Sequence, residues 1–196
     1  MTRFERRDSP IRDHDASLLS RAAAGDRRAA ADLVSAHTPR LMALARRMLR
    51  DEAEAEDVVQ ESFIRLWRMA PNWRSGKARL STWMHRVALN LCYDRLRKAR
   101  PVDEEAPDIA DDADGPAQAL HQNQLSARVH SAIQNLPPRQ RAAIALCHFE
   151  EMSNIEAAEI LEISVEAVES LLSRARRALK ASLAAEAGAW MERMEP

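Results

Sequence analysis

Four cations crowd the last long helical pattern of the chain: Arg174, Arg176, Arg177 and Lys180. A planar guanidinium takes a guanine edge or a phosphate bidentately, and a serine such as Ser170 or Ser173 bonds to either. The chemistry on offer is recognition of nucleic acid. A second set interleaves cations and aromatic rings: Trp73, Arg74, Lys77, Arg79, Trp83, Arg86, Asn90, Arg95, Arg97 and Lys98. Cations track a phosphate backbone, and a base lifted from its stack finds an aromatic surface or a pocket. A third row, Asp57, Gln60, Glu61, Ile64 and Arg65, mixes charge with an exposed apolar side chain, as a partner-docking face does. Each set alone also fits an ordinary solvated helix face. Covalent chemistry finds no support: there is no nucleophile–base pair, phosphate loop or metal-spaced cluster. Cys92 and Cys147 sit singly on apolar helical faces and read as reduced core thiols. No catalytic residue, cofactor or metal is expected.

The elements that must position these residues are helices. Alanine, leucine, arginine and glutamate dominate, and the chain of 196 residues holds only four glycines. No run of alternating β-branched residues argues for a sheet. Residues 1–14 are polar and expected to be disordered. Asp15 or Ser17 then caps a short helix ending near Gly25. A second helix follows Asp26, and Pro39 is expected to break or kink it around Ala36 to Thr38. A third runs from about Glu52 to Ala70 on the stripe Val59, Phe63, Leu66, Trp67 and Ala70. A fourth, Leu80 to Ala99, sets Arg86, Asn90, Asp94 and Arg97 opposite an apolar face of Leu80, Trp83, Met84, Val87, Ala88, Leu91 and Cys92. Later helices are predicted at about 117–135, 138–149, 154–161 and 165–183. Ser153-x-x-Glu156 is a capping box, and Ser164 caps the last helix. Residues 184–196, with Trp190, Met191 and Met194, read as a tail in which the helix frays.

The pair from Ile155 to Lys180 is a helix-turn-helix, with its second helix placed to enter a major groove. Ala158 marks the helix crossing, where only a small side chain fits. Val165, Val168, Leu172, Ala175 and Leu179 face inward, leaving Glu166, Ser170, Ser173, Arg174 and Arg177 outward. Two features are awkward. Glu162 stands in the turn, where glycine would be at ease in a left-handed conformation. Outward Glu166 and Glu169 repel phosphate, although glutamate accepts a hydrogen bond from cytosine.

Net charge divides the chain into three. Residues 1–100 hold 21 basic and 13 acidic side chains (+8), residues 101–138 one and seven (−6), and residues 139–196 seven and ten (−3). A basic first part can meet a polyanion; an acidic middle avoids or imitates one. The run RPVDEEAPDIADDADGPAQ, with seven acidic residues and three prolines, reads as a flexible linker over 100–116. The fold expected is all-α: two small helical domains, 15–99 and 117–183, joined by the acidic linker. No apolar run approaches a membrane span, and MTRFERRDSP is no signal peptide, so membrane insertion is not expected and the cytoplasm is.

Two segments carry a resemblance. DEAEAEDVVQESFIRLW…LSTWMHRVALNLCYDRLRK resembles region 2 of bacterial sigma factors, and LPPRQRAAIALCHFEEMSNIEAAEILEISVEAVESLLSRARRALK resembles their region 4. A short chain with only an acidic linker between them resembles the extracytoplasmic-function (ECF) group of the sigma-70 family. The resemblance implies a factor that directs core RNA polymerase to promoters of a stress or envelope response, helps melt the −10 element and answers to an anti-sigma factor. It implies that region 2 meets the β′ clamp helices and region 4 the β flap. Asp57, Gln60, Glu61 and Arg65 would bind polymerase. Trp73, Arg74, Lys77, Arg79, Arg86, Asn90, Asp94 and Arg97 would meet −10 DNA. Glu169, Ser170, Arg174 and Arg177 would meet −35 DNA. Glu162 departs from the family's turn glycine, and Glu166-Ala167-Val168-Glu169 from its more typical Gly-Thr-Val-Lys. By resemblance the linker threads the polymerase's RNA path, where its charge imitates nucleic acid.

Two other readings compete: a stand-alone dimeric helix-turn-helix regulator, which leaves the first domain unexplained, and a sigma-like decoy for an anti-sigma factor, which has no need of DNA-reading arginines. If Arg174 reads a base, Arg174→Ala should lower −35 discrimination by roughly 1–3 kcal/mol in binding to matched and mismatched duplexes. Equal weakening on every sequence would make it a phosphate contact instead.

Overall fold

The computed structural model describes residues 10–74, 79–99 and 128–194, and side chains over 14–74, 79–99 and 128–184. The expected linker, Lys77 and residues 1–9 lie outside them. Every regular element among the described residues is helical: α1 Pro10–Ala23, α2 Arg27–Met48, α3 Glu52–Met69 with a 3₁₀ turn Ala70–Asn72, and α4 Leu80–Lys98. There follow α5, described over 128–134, α6 Pro138–Ile144 with a π-helical turn Ala145–Phe149, α7 Asn154–Leu161 and α8 Val165–Met194. No described helix is long and apolar enough to cross a membrane.

Local chemistry sets most boundaries. Asp26 accepts from the N–H groups of Arg28 and Ala29 at 2.9 and 3.1 Å and caps α2; these backbone bonds, with Arg21, hold its carboxyl below the usual range. Asp51 caps α3 through the N–H of Glu54. Ser153 and Glu156 form the reciprocal capping box of α7. Ser164 accepts from the N–H of Ala167 at 3.2 Å and caps α8.

Three expectations fail. α1 begins at Pro10, a residue suited to a helix's first turn, so neither Asp15 nor Ser17 caps it. Asp15 lies inside α1 instead, 3.1 Å from the buried ring of His37 on α2. Pro39 does not break α2, which is helical on both sides of it. Leu33, Leu41 and Leu44 are buried along that one helix, and their shared burial outweighs the hydrogen bond the proline forfeits. Finally, α8 is helical to Met194, well past the predicted end near 183; Ala-rich sequence favours the extension.

The two halves share one core. α4 packs on α1, α2, α3 and α7, and α6 packs on both α2 and α8. Where the C-terminus of α2 leaves carbonyls without helical partners, the second half supplies donors. Gln134 donates to the carbonyls of Arg46 and Leu49 at 2.9 and 3.1 Å. Buried Arg141 donates to the carbonyl of Met48 at 2.6 Å, to the Gln134 side chain at 3.1 Å, and to the carbonyls of Gln134 and Leu136. Burial pushes Arg141 down to about 10, still well above neutrality, so the guanidinium is charged in its nest of oxygens. Arg47 lies 4.1 Å over the ring of Phe149. Glu150 is buried between Arg47 at 3.7 Å and His85 at 3.9 Å.

Arg141→Ala strands those acceptors. It should cost about 2–4 kcal/mol of stability in urea unfolding. Arg139→Ala, at an exposed position, should change stability by less than ~0.5 kcal/mol.

Candidate nucleic-acid interface

Side chains from α3 and α4 frame a groove of about 1010 Å³. Asp51, Glu54, Asp57, Gln60, Glu61, Ile64 and Arg65 line one wall; Leu91, Asp94, Arg95, Leu96 and Lys98 line the other. The helical period explains the grouping. Ala55, Val58, Val59, Ser62, Phe63 and Leu66 turn inward, so the intervening residues must face out. All four residues expected to bind a protein partner, Asp57, Gln60, Glu61 and Arg65, therefore fall on one wall. Arg65 pairs with Glu61 at 3.0 Å, one turn back, and Arg95 bridges the helices to Glu54. The structure also brings Asp94 to this groove, where Arg97 pairs with it at 2.9 Å.

The aromatic–basic set begins where α3 ends. Trp73 follows the 3₁₀ turn, half-buried, and meets Trp83 edge to face with centroids 6.3 Å apart. The pair anchors the segment leading into α4. Arg74 and Asn90 are exposed. Arg79 and Arg86 are not free cations. Arg79 lies 2.8 Å from the carboxylate of Glu156 on α7. Arg86 lies 3.0 Å from that of Glu162 and donates also to the carbonyl of Glu159.

On α8 the predicted inward set holds: Val168, Leu172 and Ala175 are buried, and Val165 and Leu179 half-buried. Glu169, Arg174 and Arg177 are exposed and Ser170 is half-buried. Glu162 adopts the left-handed conformation that its place in the turn demands, with φ +55° and ψ +43°. Glu166 has a structural reason to be there. Its own N–H and the Ser164 hydroxyl hold its carboxylate and lower its pKa, at the end of α8 where negative charge suits the helix dipole.

Sequence reasoning missed the residues that join the halves. Arg141 and Arg139 look alike in LPPRQR, and only tertiary packing separates them. His85 lies wholly buried within α4, and its position one residue after Met84 on the apolar stripe was the available signal. Cys92 is a core thiol as expected, whereas Cys147 is only half-buried. Burial pushes Cys92 up to about 12 and raises half-buried Cys147 as well.

Residues 33–102 match the Sigma-70 region 2 family, and residues 126–179 match the Sigma-70, region 4 family. The RNA polymerase sigma-H factor of Pseudomonas aeruginosa is 33% identical over 183 residues, 87% of this chain and 94% of that protein. The chain belongs to the sigma-70 family of RNA polymerase sigma factors. Its ECF character shows in the ECF RNA polymerase sigma factor SigW of Bacillus subtilis, 35% identical over 171 residues, 81% of this chain and 91% of that one. A solved structure of CnrH, a sigma factor of Cupriavidus metallidurans, in complex with the cytosolic domain of CnrY superposes with a TM-score of 0.68 at 31% identity. It covers 88% of this chain and 99% of CnrH. Relatives so nearly equal in length span both halves of this chain, which a stand-alone helix-turn-helix regulator would not require. The chain is a sigma factor, in a family of DNA-binding initiation factors.

At pH 8 the thiols of this sigma factor should react in a fixed order with iodoacetamide. Mass spectrometry should find Cys147 modified first and Cys92 only in denaturant, because the thiolate is the reactive form and burial suppresses it. Equal rates in the native protein would contradict the burial described.

Proposed function

We propose that this ECF sigma factor docks on core polymerase through the α3–α4 groove and holds promoter DNA with α4 and α8. The observation that carries the reading is the grouping of Asp57, Gln60, Glu61 and Arg65 on one wall of a groove that Arg79 and Arg86 do not line. The mixed lining, acidic with Ile64, Leu91 and Leu96 between, suits the β′ clamp helices. Arg74, Lys77, Arg79, Arg86, Asn90 and Arg97 meet the −10 element, with Trp73 and Trp83 beside an unstacked base. Asp94 serves the docking groove as much as the DNA face. Glu169, Ser170, Arg174 and Arg177 meet the −35 element while region 4 rests on the β flap.

The chain performs no reaction of its own. It lends specificity, and its two weak DNA contacts become one strong one when both sit on the same polymerase. Capture of a base outside the stack offsets unpairing, which costs on the order of a few kcal/mol. It works in the cytoplasm, in a stress or envelope response. CnrH is seen with CnrY's cytosolic domain, and an anti-sigma factor of similar kind controls this chain by covering its docking groove. Failure to recover any inhibitory partner from native cells would count against that control.

The test is run-off transcription from genomic fragments, with core polymerase and with or without the chain. Defined transcripts should appear only in its presence. No transcripts, with DNA bound in the absence of polymerase, would overturn the reading. Asp57→Lys reverses a charge on the groove wall and should weaken binding to core polymerase by about tenfold or more, with the melting temperature unchanged. Unaltered affinity would remove the groove from the interface.

A further inference from the structure

Glu169 is the fifth residue of α8, and its side chain is exposed. Among the described residues its carboxylate takes part in no hydrogen bond or ion pair. The helix face does not neutralise it: Glu166 stands three residues before it and Ser173 four after. Two neighbouring glutamates are committed elsewhere. Glu162 pairs with Arg86 at 3.0 Å. The carboxylate of Glu166 is taken up by its own N–H and by the Ser164 hydroxyl. The exposed cations of the same helix come later, at Arg174 and Arg177. Glu169 is thus a bare negative charge, held out by the first turns of a recognition helix, with no contact within the fold to account for it.

When a recognition helix enters a major groove, its N-terminal residues reach base edges. Every phosphate repels a carboxylate there, so only a donor on a base can offset its approach. The bases differ in what they offer. Cytosine presents its N4 amino group, and adenine its N6 amino group beside the acceptor N7. Guanine presents the acceptors N7 and O6, and thymine the acceptor O4 with a methyl group. An ionised carboxylate has no proton to donate, so the last two bases meet it acceptor against acceptor. We propose that Glu169 sets the −35 preference by rejection: it admits cytosine at the base it faces and turns away guanine and thymine. This rests on the reading that α8 meets the −35 element. Specificity of this kind comes from a penalty against wrong sequences rather than from added affinity. Arg174, five residues on, lies about 7.5 Å further along the helix axis. That distance is roughly two base-pair steps of about 3.4 Å, so the two side chains address different positions.

The test is selection by the holoenzyme, core polymerase plus the full chain, on a promoter recovered by run-off transcription and randomised over its −35 element. Open complexes are captured and their templates sequenced. Wild type should hold one position at a C·G pair, with one orientation favoured over the other about tenfold. The Glu169→Gln amide can donate as well as accept. It should cut that ratio to about threefold or less and raise adenine at the same position, leaving the others unchanged. Glu169→Lys should reverse the orientation of the pair, since lysine bonds to guanine. Arg174→Ala should change another position or lower capture overall, and Glu166→Gln should select the wild-type sequence. If both Glu169 variants select the wild-type sequence while Arg174→Ala alters selection or capture, Glu169 reads no base. The proposal is then overturned and the −35 reading stands. A uniform gain of Glu169→Gln on every template overturns it too, because relief of phosphate repulsion alone would give that. So does a change confined to a position that wild type fills with an A·T pair. If no substitution on α8 changes selection or capture, the −35 reading fails, and this inference fails with it.

Discussion

The C-terminus of α2 is the joint on which the rest of the molecule depends. A helix that ends inside a protein leaves carbonyls that something must satisfy, because a buried acceptor without a donor costs about 1–3 kcal/mol. Here the donors come from the other half of the chain. Gln134 reaches the carbonyls of Arg46 and Leu49, and Arg141 reaches that of Met48. The first helical unit is thus completed by the second, and their apolar residues form one continuous cluster from Leu18 to Ala175. Around this joint Arg47 covers Phe149 and pairs with Glu150.

Docking at that joint decides what the surfaces beyond it can do. With α5 and α6 against the end of α2, α7 lies along α4, and its glutamates fall on the arginines of α4. The groove between α3 and α4 stays open on its own side, and the exposed face of α8 stays clear with Arg174 and Arg177. Three surfaces thus stand in different states: the α3–α4 groove is accessible, the outer face of α8 is accessible, and on α4 Arg79 and Arg86 are paired while Asn90 stays exposed.

Much of this was legible in the residues themselves. Period-3.6 stripes placed α3, α4 and the inward face of α8, and cap residues placed the starts of α7 and α8, because such boundaries depend on chemistry within a few positions. Glu162 looked awkward in a glycine's place, and it takes the left-handed turn all the same. Pro39 misled, since its local penalty is visible in sequence while the burial of Leu33, Leu41 and Leu44 along one helix is not. Asp15 misled for the same reason: its partner, His37, lies on another helix. The covering of Arg79 and Arg86 was beyond reach. Each looked like a solvated cation, and their partners lie 77 and 76 residues away.

If DNA and α7 compete for the same arginines, the halves must part when polymerase is bound. Spin labels placed by Glu56→Cys on α3 and Lys180→Cys on α8, in a Cys147→Ser background, report that separation by double electron–electron resonance. The free chain should give one narrow, short distance, and the chain bound to core polymerase a distinctly longer one. The same distance in both states would contradict the account, because α7 would then still cover α4 in the complex that opens the promoter.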